Sequence, residues 1–469
     1  MKRPVNKAVI SFSVTALLAL LLVSGCSFPV GPVNRSHPFV QYRVTLKDHD
    51  LNIVRVRIDL FGSIGKTMRF VSPHGTWDRS PVPIGITALD REGRALSVTE
   101  GEGDWIVEHG GKDFSVYYDV VLTVENRYSP DIKTMLSFID HDRCRLLGGD
   151  LFIMPAEAVS EGVVVDTAIF PGMPVCSAWA GTGTRITVPS IGDLPSTVVV
   201  SGNYRLFRRW AGQTELVMAI ASSWTFHDEE LLEVIERIVT SETALFGSSP
   251  HERYLFVCDR NPIKGYRGFN LYGVHFTGSI VLLLDTKLDR SQLFDTPMAI
   301  VAHEFFHNWN GETLRPRTDE FLWFTEGVTV YYSYKTLLDA NIITPEQHRR
   351  NRDLIAKRYM ENSYLEAVPI GEAVNSDLGD KDLVNLLYDG GFLAAEALDA
   401  HITEITRNRI GLIDILRMMY EEAGGTTYID EEALTAAVRR LSGHDISGFL
   451  HEIIHRPAPS ALTGTQQSS

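Results

Sequence analysis

The chain has 469 residues, more than one simple core can organise, so two or three domains are expected. At 44% hydrophobic and 22% charged it has the make-up of a folded globular protein, which excludes a disordered or low-complexity chain. A formal net charge of −15, with no basic patch carrying interleaved aromatics, argues against nucleic acid as a partner.

The first element is a processing signal. Lys2, Arg3 and Lys7 precede an apolar run from about Ala8 to Val23, followed by Ser24-Gly25-Cys26. A basic start and an apolar centre are the marks of a secretory signal peptide, here over residues 1–25. The run is shorter than the ~20 residues that span a bilayer, which disfavours an uncleaved anchor helix. The small residues before Cys26 resemble a bacterial lipobox, which implies cleavage before Cys26 and lipid attachment to it. The expected location is outside the cytoplasm, tethered to a membrane. Ser27 is not the acidic residue linked to inner-membrane retention, which points to the outer membrane, facing the periplasm. Residues 26–38 contain Pro29, Gly31, Pro32 and Pro38 and are expected to be a tether.

A β-rich domain is expected over 39–202. Apolar and polar residues alternate in Leu51–Leu60 and in part of Phe114–Val124, and Thr184–Val188 and Thr197–Val200 continue the pattern. A β-sandwich or saddle-like sheet is the predicted form. Cys144 and Cys176 fall in stretches without a clear period, and in an oxidising compartment they are the pair expected to form a disulfide. Cys258 lies in an apolar run and is expected to be a buried strand residue.

Helical periodicity opens near Asp228 and lasts to about Phe246. Strand-like runs follow at Tyr254–Cys258 and Ser279–Leu284. Asp295-Thr296-Pro297 predicts a helix start, with a capping residue before Pro at the first turn. From there to about Arg456 the chain is expected to be mainly helical, with residues 203–345 and 346–458 as two parts of one catalytic region and 459–469 as a disordered tail. No internal repeat is visible.

The predicted helix carries His303-Glu304-Phe305-Phe306-His307. Histidines four apart share a helix face and can converge on one Zn²⁺, with Glu304 beside the metal as a base. A catalytic zinc needs a third protein ligand, and Glu326, nineteen positions after His307, is the candidate. Asp319 and Glu320 are alternatives. A third histidine at 313 would signal another arrangement, but that residue is Thr313. A second match, His451-Glu452-Ile453-Ile454-His455, has no acid or histidine downstream. It is expected to be the polar side of a last amphipathic helix, with Phe449, Leu450, Ile453 and Ile454 turned inward. Asn308 and Trp309 are expected to orient the zinc helix, Tyr331, Tyr332 and Tyr334 to pack, and His227, His251 and His401 to be surface or helix-end residues.

These blocks resemble the glycyl aminopeptidase family, the sixty-first metallopeptidase family, in the gluzincin group. His303–Asn310 with Leu314-Arg315-Pro316 resembles its zinc helix, and Leu322–Tyr332 its third-ligand helix. Tyr388-Asp389-Gly390-Gly391, running into Ala395–His401, resembles a Tyr-x-Lys-Gly helix. Weaker similarity, at Gly93–Leu96, Trp105 and Tyr117-Tyr118, reaches the β domain. The resemblance implies an α+β multidomain fold: an N-terminal β domain, then a thermolysin-like zinc peptidase domain with a helical C-terminal half. It implies one Zn²⁺ per chain on His303, His307 and Glu326, with Glu304 as general base and the Tyr388 hydroxyl steadying the oxyanion. Three departures are visible. No PDZ-like domain is expected after the catalytic region. Gly390 replaces a lysine. Gly273-Val274-His275 stands where the family has a glutamate for the substrate's free amine, so Gly273 and His275 are the candidate substrate contacts.

The expected function is zinc-dependent hydrolysis of extracytoplasmic peptides in an aminopeptidase-like manner. The alternatives are a peptidase that does not require a free N-terminus, a catalytically silent zinc-binding lipoprotein, and a metal-free adhesin. If free amines are preferred, Asp285 or Glu312 is the acid to replace the missing glutamate.

Overall fold

The computed structural model describes residues 38–48, 52–62, 65–72, 83–122, 137–157, 159–160, 162–170, 172–260, 272–285, 287–373 and 380–463. The expected signal segment, Cys26 and nearly all of the tether lie outside them. Among the described residues, no helix is long and apolar enough to cross a membrane.

Phe39–Asp48, Ile53–Phe61 and Phe114–Val121 form the middle of an eleven-stranded sheet, with Ile53–Phe61 antiparallel to both neighbours. Val54, Val56, Ile58 and Leu60 are each 0% exposed, while Arg55 and Arg57 between them pair with Asp119 and Asp59. That alternation puts every second side chain into one core and leaves the opposite face charged. The alternating segments predicted from sequence become the strands Ile53–Phe61, Phe114–Val121, Arg185–Val188 and Val198–Gly202.

A four-stranded sheet corrects the cysteine reading. Val175–Cys176 and Arg143–Leu147 are strands rather than irregular chain, and they flank Val198–Gly202 on its two sides. Cys176 is opposite Val200 and Cys144 opposite Ser201. Two strand spacings separate the cysteines by about 9–10 Å, beyond the roughly 4–7 Å Cα span of a disulfide. Both are free and buried, and burial pushes their thiols up to about 12 and about 11. Cys258 is a buried strand residue, as expected.

The third sheet positions the site. Its order is Arg205–Ala211, Thr214–Ile220, Arg253–Arg260, Ser279–Leu284, Tyr272–Phe276, with the middle three strands parallel. Tyr254, Phe256, Cys258, Ile280 and Leu282 face the helical core, and Leu255, Val257, Val281 and Leu283 face the four-stranded sheet. Burial on both faces explains why these runs read as continuously apolar. Arg145 and Asp259, both almost fully buried, pair across the two sheets, and the Tyr204 hydroxyl donates to Asp259 at 3.3 Å.

Helix Asp228–Phe246 coincides with the predicted segment and ends at Gly247, whose φ of 83° suits glycine. The helices Thr296–Phe306, Thr329–Asp339, Pro345–Met360 and Lys381–Ile405 follow, and shorter ones complete the helical C-terminal part. The mixed α+β fold, with a large N-terminal sheet region, is the one expected. The tail predicted from residue 459 instead begins with a short helix, Ser460–Thr463, in which Leu462 is buried.

Candidate metal centre and cleft

Helix Thr296–Phe306 has Pro297 in its first turn, where a missing N–H costs nothing. Asp295 precedes the helix but does not cap it; its carboxylate accepts from Asn351 at 2.9 Å and from Arg350. Val301, Ala302, Phe305 and Phe306 are 0% exposed, which turns His303, Glu304 and His307 to the opposite side. Trp309, also fully buried, stacks on Phe246 and donates to the Ser248 carbonyl at 3.1 Å. Asn308 donates to the Phe305 carbonyl at 2.6 Å. Both anchor the end of this helix.

His307 Nδ1 lies 2.9 Å from the Asn310 carbonyl. A carbonyl only accepts, so Nδ1 carries the proton and Nε2 keeps a lone pair for a metal. His303 Nε2 and His307 Nε2 are 3.0 Å apart, and Glu326 Oε2 is 3.2 and 3.7 Å from them. Donor atoms around a tetrahedral zinc lie about 3.3 Å from one another. Glu326 Oε2 is also buried without a well-aligned hydrogen bond. The donor set therefore fits a metal ion, and Asp319 and Glu320 are not in the group.

Burial pushes the Glu326 carboxyl up, but His307, His303 and the Tyr388 hydroxyl outweigh it and bring the group down to about 2. Glu304 is raised: burial outweighs the nearby His307 and His275, and Glu326 adds to the rise.

Glu326 lies in a π-helical turn, Phe324–Val328, immediately before helix Thr329–Asp339. Such turns leave carbonyls without their usual partners. The buried Asn310 amide supplies a donor, 3.1 Å from the carbonyls of both Phe324 and Thr325. One asparagine thus joins the loop after the histidines to the turn that presents Glu326.

Helix Lys381–Ile405 crosses that turn at two glycines. A Cβ on Gly327 would come 2.2 Å from the Gly391 carbonyl carbon, and one on Gly391 would come 2.8 Å from Gly327 Cα. This backbone contact brings Tyr388, one turn before Gly391, to the site. Its ring lies 6.0 Å from that of His303, and its hydroxyl bonds to the Glu326 carboxylate. Burial and the two glutamates push the phenol well above its ordinary range. Gly390 faces away: a Cβ there would meet Ile370 and Tyr359 at 3.0 Å. The lysine expected at this position has no room and would not point into the site.

Tyr272–Phe276 is an edge strand laid against the metal helix. A Cβ on Gly273 would stand 2.4 Å from Ile300 Cγ2 and 2.8 Å from Glu304 Cγ, so only glycine allows this approach. The backbone N–H of His275 donates to Glu304. Its imidazole lies between the Tyr254 hydroxyl, at 3.2 Å, and Glu312, at 2.9 Å.

Glu312 is brought there by Gly311, whose φ of 146° reverses the chain so that the Glu312 N–H donates to the His307 carbonyl at 2.8 Å. His251 approaches the same carboxylate at 3.3 Å. Burial pushes Glu312 up, but the two imidazoles overcome it and hold it at about 2. A cleft of about 350 Å³ is lined by His275, His307, Glu312, Arg315 and Glu326. Asp285, the other acid considered, accepts the Lys287 N–H in a turn. His251 was not foreseen, because its partner is 61 residues away and no local spacing announces the pair. His401 is not at a helix end but inside Lys381–Ile405, stacked on Phe449. His451 and His455 are exposed on helix Ser447–Ile454 and its cap.

The family model for M61 glycyl aminopeptidase matches residues 296–378, the stretch that holds both histidines, Glu304 and Glu326. The chain is 27% identical over 239 residues to aminopeptidase N of Caulobacter vibrioides, across 50% of its own length. It is 25% identical over 187 residues to a probable aminopeptidase 1 of Sulfurisphaera tokodaii, across 39%. These matches span only 26% and 22% of the two relatives. Among solved structures, an aminopeptidase N family protein of Idiomarina loihiensis superposes with a TM-score of 0.74 at 17% identity, over 89% of this chain and 76% of that one. An M1 zinc metallopeptidase mutant of Deinococcus radiodurans, bound to a Tyr-Ser-Ala substrate, superposes with a TM-score of 0.57 at 12% identity, over 90% and 95%. At these identities the structural likeness speaks for the fold alone. The matched segment resembles the glycyl aminopeptidase family, the curated relatives are aminopeptidases matched over about a quarter of their length, and the fold is that of aminopeptidase N family structures.

Proposed function

We propose that this protein is a zinc-dependent peptidase of aminopeptidase type, acting on peptides outside the cytoplasm and tethered there by lipid at Cys26. The observation that carries the catalytic reading is the convergence of His303, His307 and Glu326 on the helix face that carries Glu304, with His307 and Glu326 lining a cleft. The lipid anchor and location rest on the N-terminal residues alone.

His303, His307 and Glu326 would hold one Zn²⁺, which when bound polarises a carbonyl and makes water acidic enough to attack it. Among the described residues Tyr272–Phe276 is the last strand of its sheet, so a peptide laid along its outer edge can pair with its backbone, and Gly273 keeps the approach to Glu304 clear. Glu304, made more basic by burial, takes the attacking water's proton while oxygen adds to the scissile carbonyl carbon. It then delivers that proton to the departing nitrogen as the C–N bond breaks, leaving a carboxylic acid and a free amine, with Glu304 again a carboxylate. Tyr388 stays protonated at neutral pH, and its one O–H, turned from Glu326 to the substrate, is a hydrogen-bond donor for the oxyanion.

Metal analysis of the purified chain is expected to give about one zinc, as a single three-ligand site requires. Glu304→Gln should keep that zinc and lower peptide hydrolysis by about 10²–10⁴-fold, the range for loss of a general base. Unchanged turnover in this variant would remove the mechanism.

A further inference from the structure

We infer that Glu312 binds a primary ammonium group of the substrate, the role that a carboxylate at position 275 would otherwise fill. The inference rests on the peptidase reading and names what that cleft selects. Of the carboxylates lining it, Glu326 is committed to the two histidines of the metal centre, and Glu312 is not. The Glu312 side chain is 16% exposed, enough to be reached from the cleft. His275 Nε2 lies 2.9 Å from its Oε2, and His251 Nε2 lies 3.3 Å from both Oε1 and Oε2. An ionised carboxylate has about four acceptor positions, more than two imidazole N–H groups fill, so lone pairs remain for another donor. The imidazoles also fix the carboxylate's orientation before substrate arrives.

The backbone supports this placement. Glu312 is tied by its N–H to the His307 carbonyl at 2.8 Å, so its backbone is held beside that of a candidate metal ligand. In an N-terminal residue the ammonium lies about two bonds from the scissile carbonyl carbon, so an acid that binds it must flank the metal. Arg315, the cation lining the cleft, turns its Nε to the Glu312 backbone carbonyl at 3.1 Å, not to the carboxylate. A primary ammonium can come from a peptide's α-amine or from a lysine side chain.

The test uses the full zinc-loaded chain carrying Glu304→Gln, so that peptides bind without being cut. Calorimetry compares alanyl-alanyl-alaninamide, its N-acetyl form, and N-acetyl-lysyl-alanyl-alaninamide. The free-amine peptide is expected to bind about ten- to a hundredfold more tightly than its acetylated form, the scale of a hydrogen bond to a charged group. Adding Glu312→Gln should bring that ratio close to one, and Glu312→Asp should retain part of it. Zinc content and melting temperature establish that each variant is folded. Tight binding of the acetyl-lysyl peptide that Glu312→Gln abolishes would support the ammonium site, with a side chain as its source. Binding unaffected by Glu312→Gln, equal binding of all three peptides, or no binding of any peptide overturns the inference. Hydrolysis by the unaltered chain with no preference for free amines would do the same while leaving the peptidase reading intact. Glu312-dependent binding with no hydrolysis by the unaltered chain would support the ammonium site and overturn the peptidase reading.

Discussion

The pattern His-Glu-x-x-His occurs twice in this chain, and both copies turn the two residues between Glu and the second His into a core. Phe305 and Phe306 are fully buried in the first, Ile453 and Ile454 in the second. In both, the histidines are therefore sent to the opposite side, and what waits there differs. Over the first copy lie an edge strand, the turn carrying Glu326, and Tyr388; the two rings are nearly perpendicular, with their Nε2 atoms 3.0 Å apart. Over the second copy there is solvent. Its rings lie 5.6 Å apart, His455 bonds to Glu431 at 2.7 Å, and Glu452 pairs with Arg456 at 2.8 Å. The motif supplies only a direction, and a site exists where other elements close over it.

The contrast can be broken most sharply at the ligands. His307→Ala should drop bound zinc from about one per chain to near zero and abolish hydrolysis, because two ligands do not hold a catalytic zinc. His455→Ala should leave both unchanged, since an exposed ion pair contributes about 1 kcal/mol or less. Elemental analysis alongside a peptide assay reads both, and zinc retained by His307→Ala would contradict the assignment.

A smaller effect is expected from the covering helix. Tyr388→Phe should lower kcat by about 10²–10³-fold with KM within a few-fold and zinc intact, the cost of losing a donor used in the transition state. A rise in KM alone would make Tyr388 a substrate-binding group instead.

The smallest effect concerns the core behind the first copy. Glu242 is fully buried in helix Asp228–Phe246, and burial pushes its carboxyl well above its ordinary 4.5, with only the nearby Thr336 hydroxyl opposing the rise. The folded state keeps a proton that the unfolded chain releases above pH 4.5, so stability falls as pH rises from there towards the raised value. Glu242→Gln has no such proton to lose. Its melting temperature should match the parent near pH 4.5 and exceed it by on the order of 3 °C at pH 8. Parallel pH profiles for the two proteins would rule this out.

Much of the site was legible because its signals are local. Two histidines one helical turn apart, an acid at fixed spacing and a tyrosine beside a glycine pair can all be read along the chain. The α+β fold was legible for the same reason, since alternation and helical period are short-range. What escaped depends on distant neighbours. The π-helical turn at Phe324–Val328 exists with the Asn310 amide as its donor, and no periodicity in those five residues announces it. Asp295 has the residue type and position of a cap, but Arg350 and Asn351 claim its carboxylate. Cys144 and Cys176 invited pairing until sheet order placed a strand between them. His251 gained its role by meeting Glu312 in space.

The contact between Gly327 and Gly391 makes the spacing between the Glu326 carboxylate and the Tyr388 phenol a constant of the architecture. Even a single methyl group at either position would wedge two backbones apart, moving the Glu326 turn and the Tyr388 helix together. Gradual change in sequence therefore has no small step with which to retune that gap. The edge strand and the loop after the histidines are where side chains can vary without disturbing that gap.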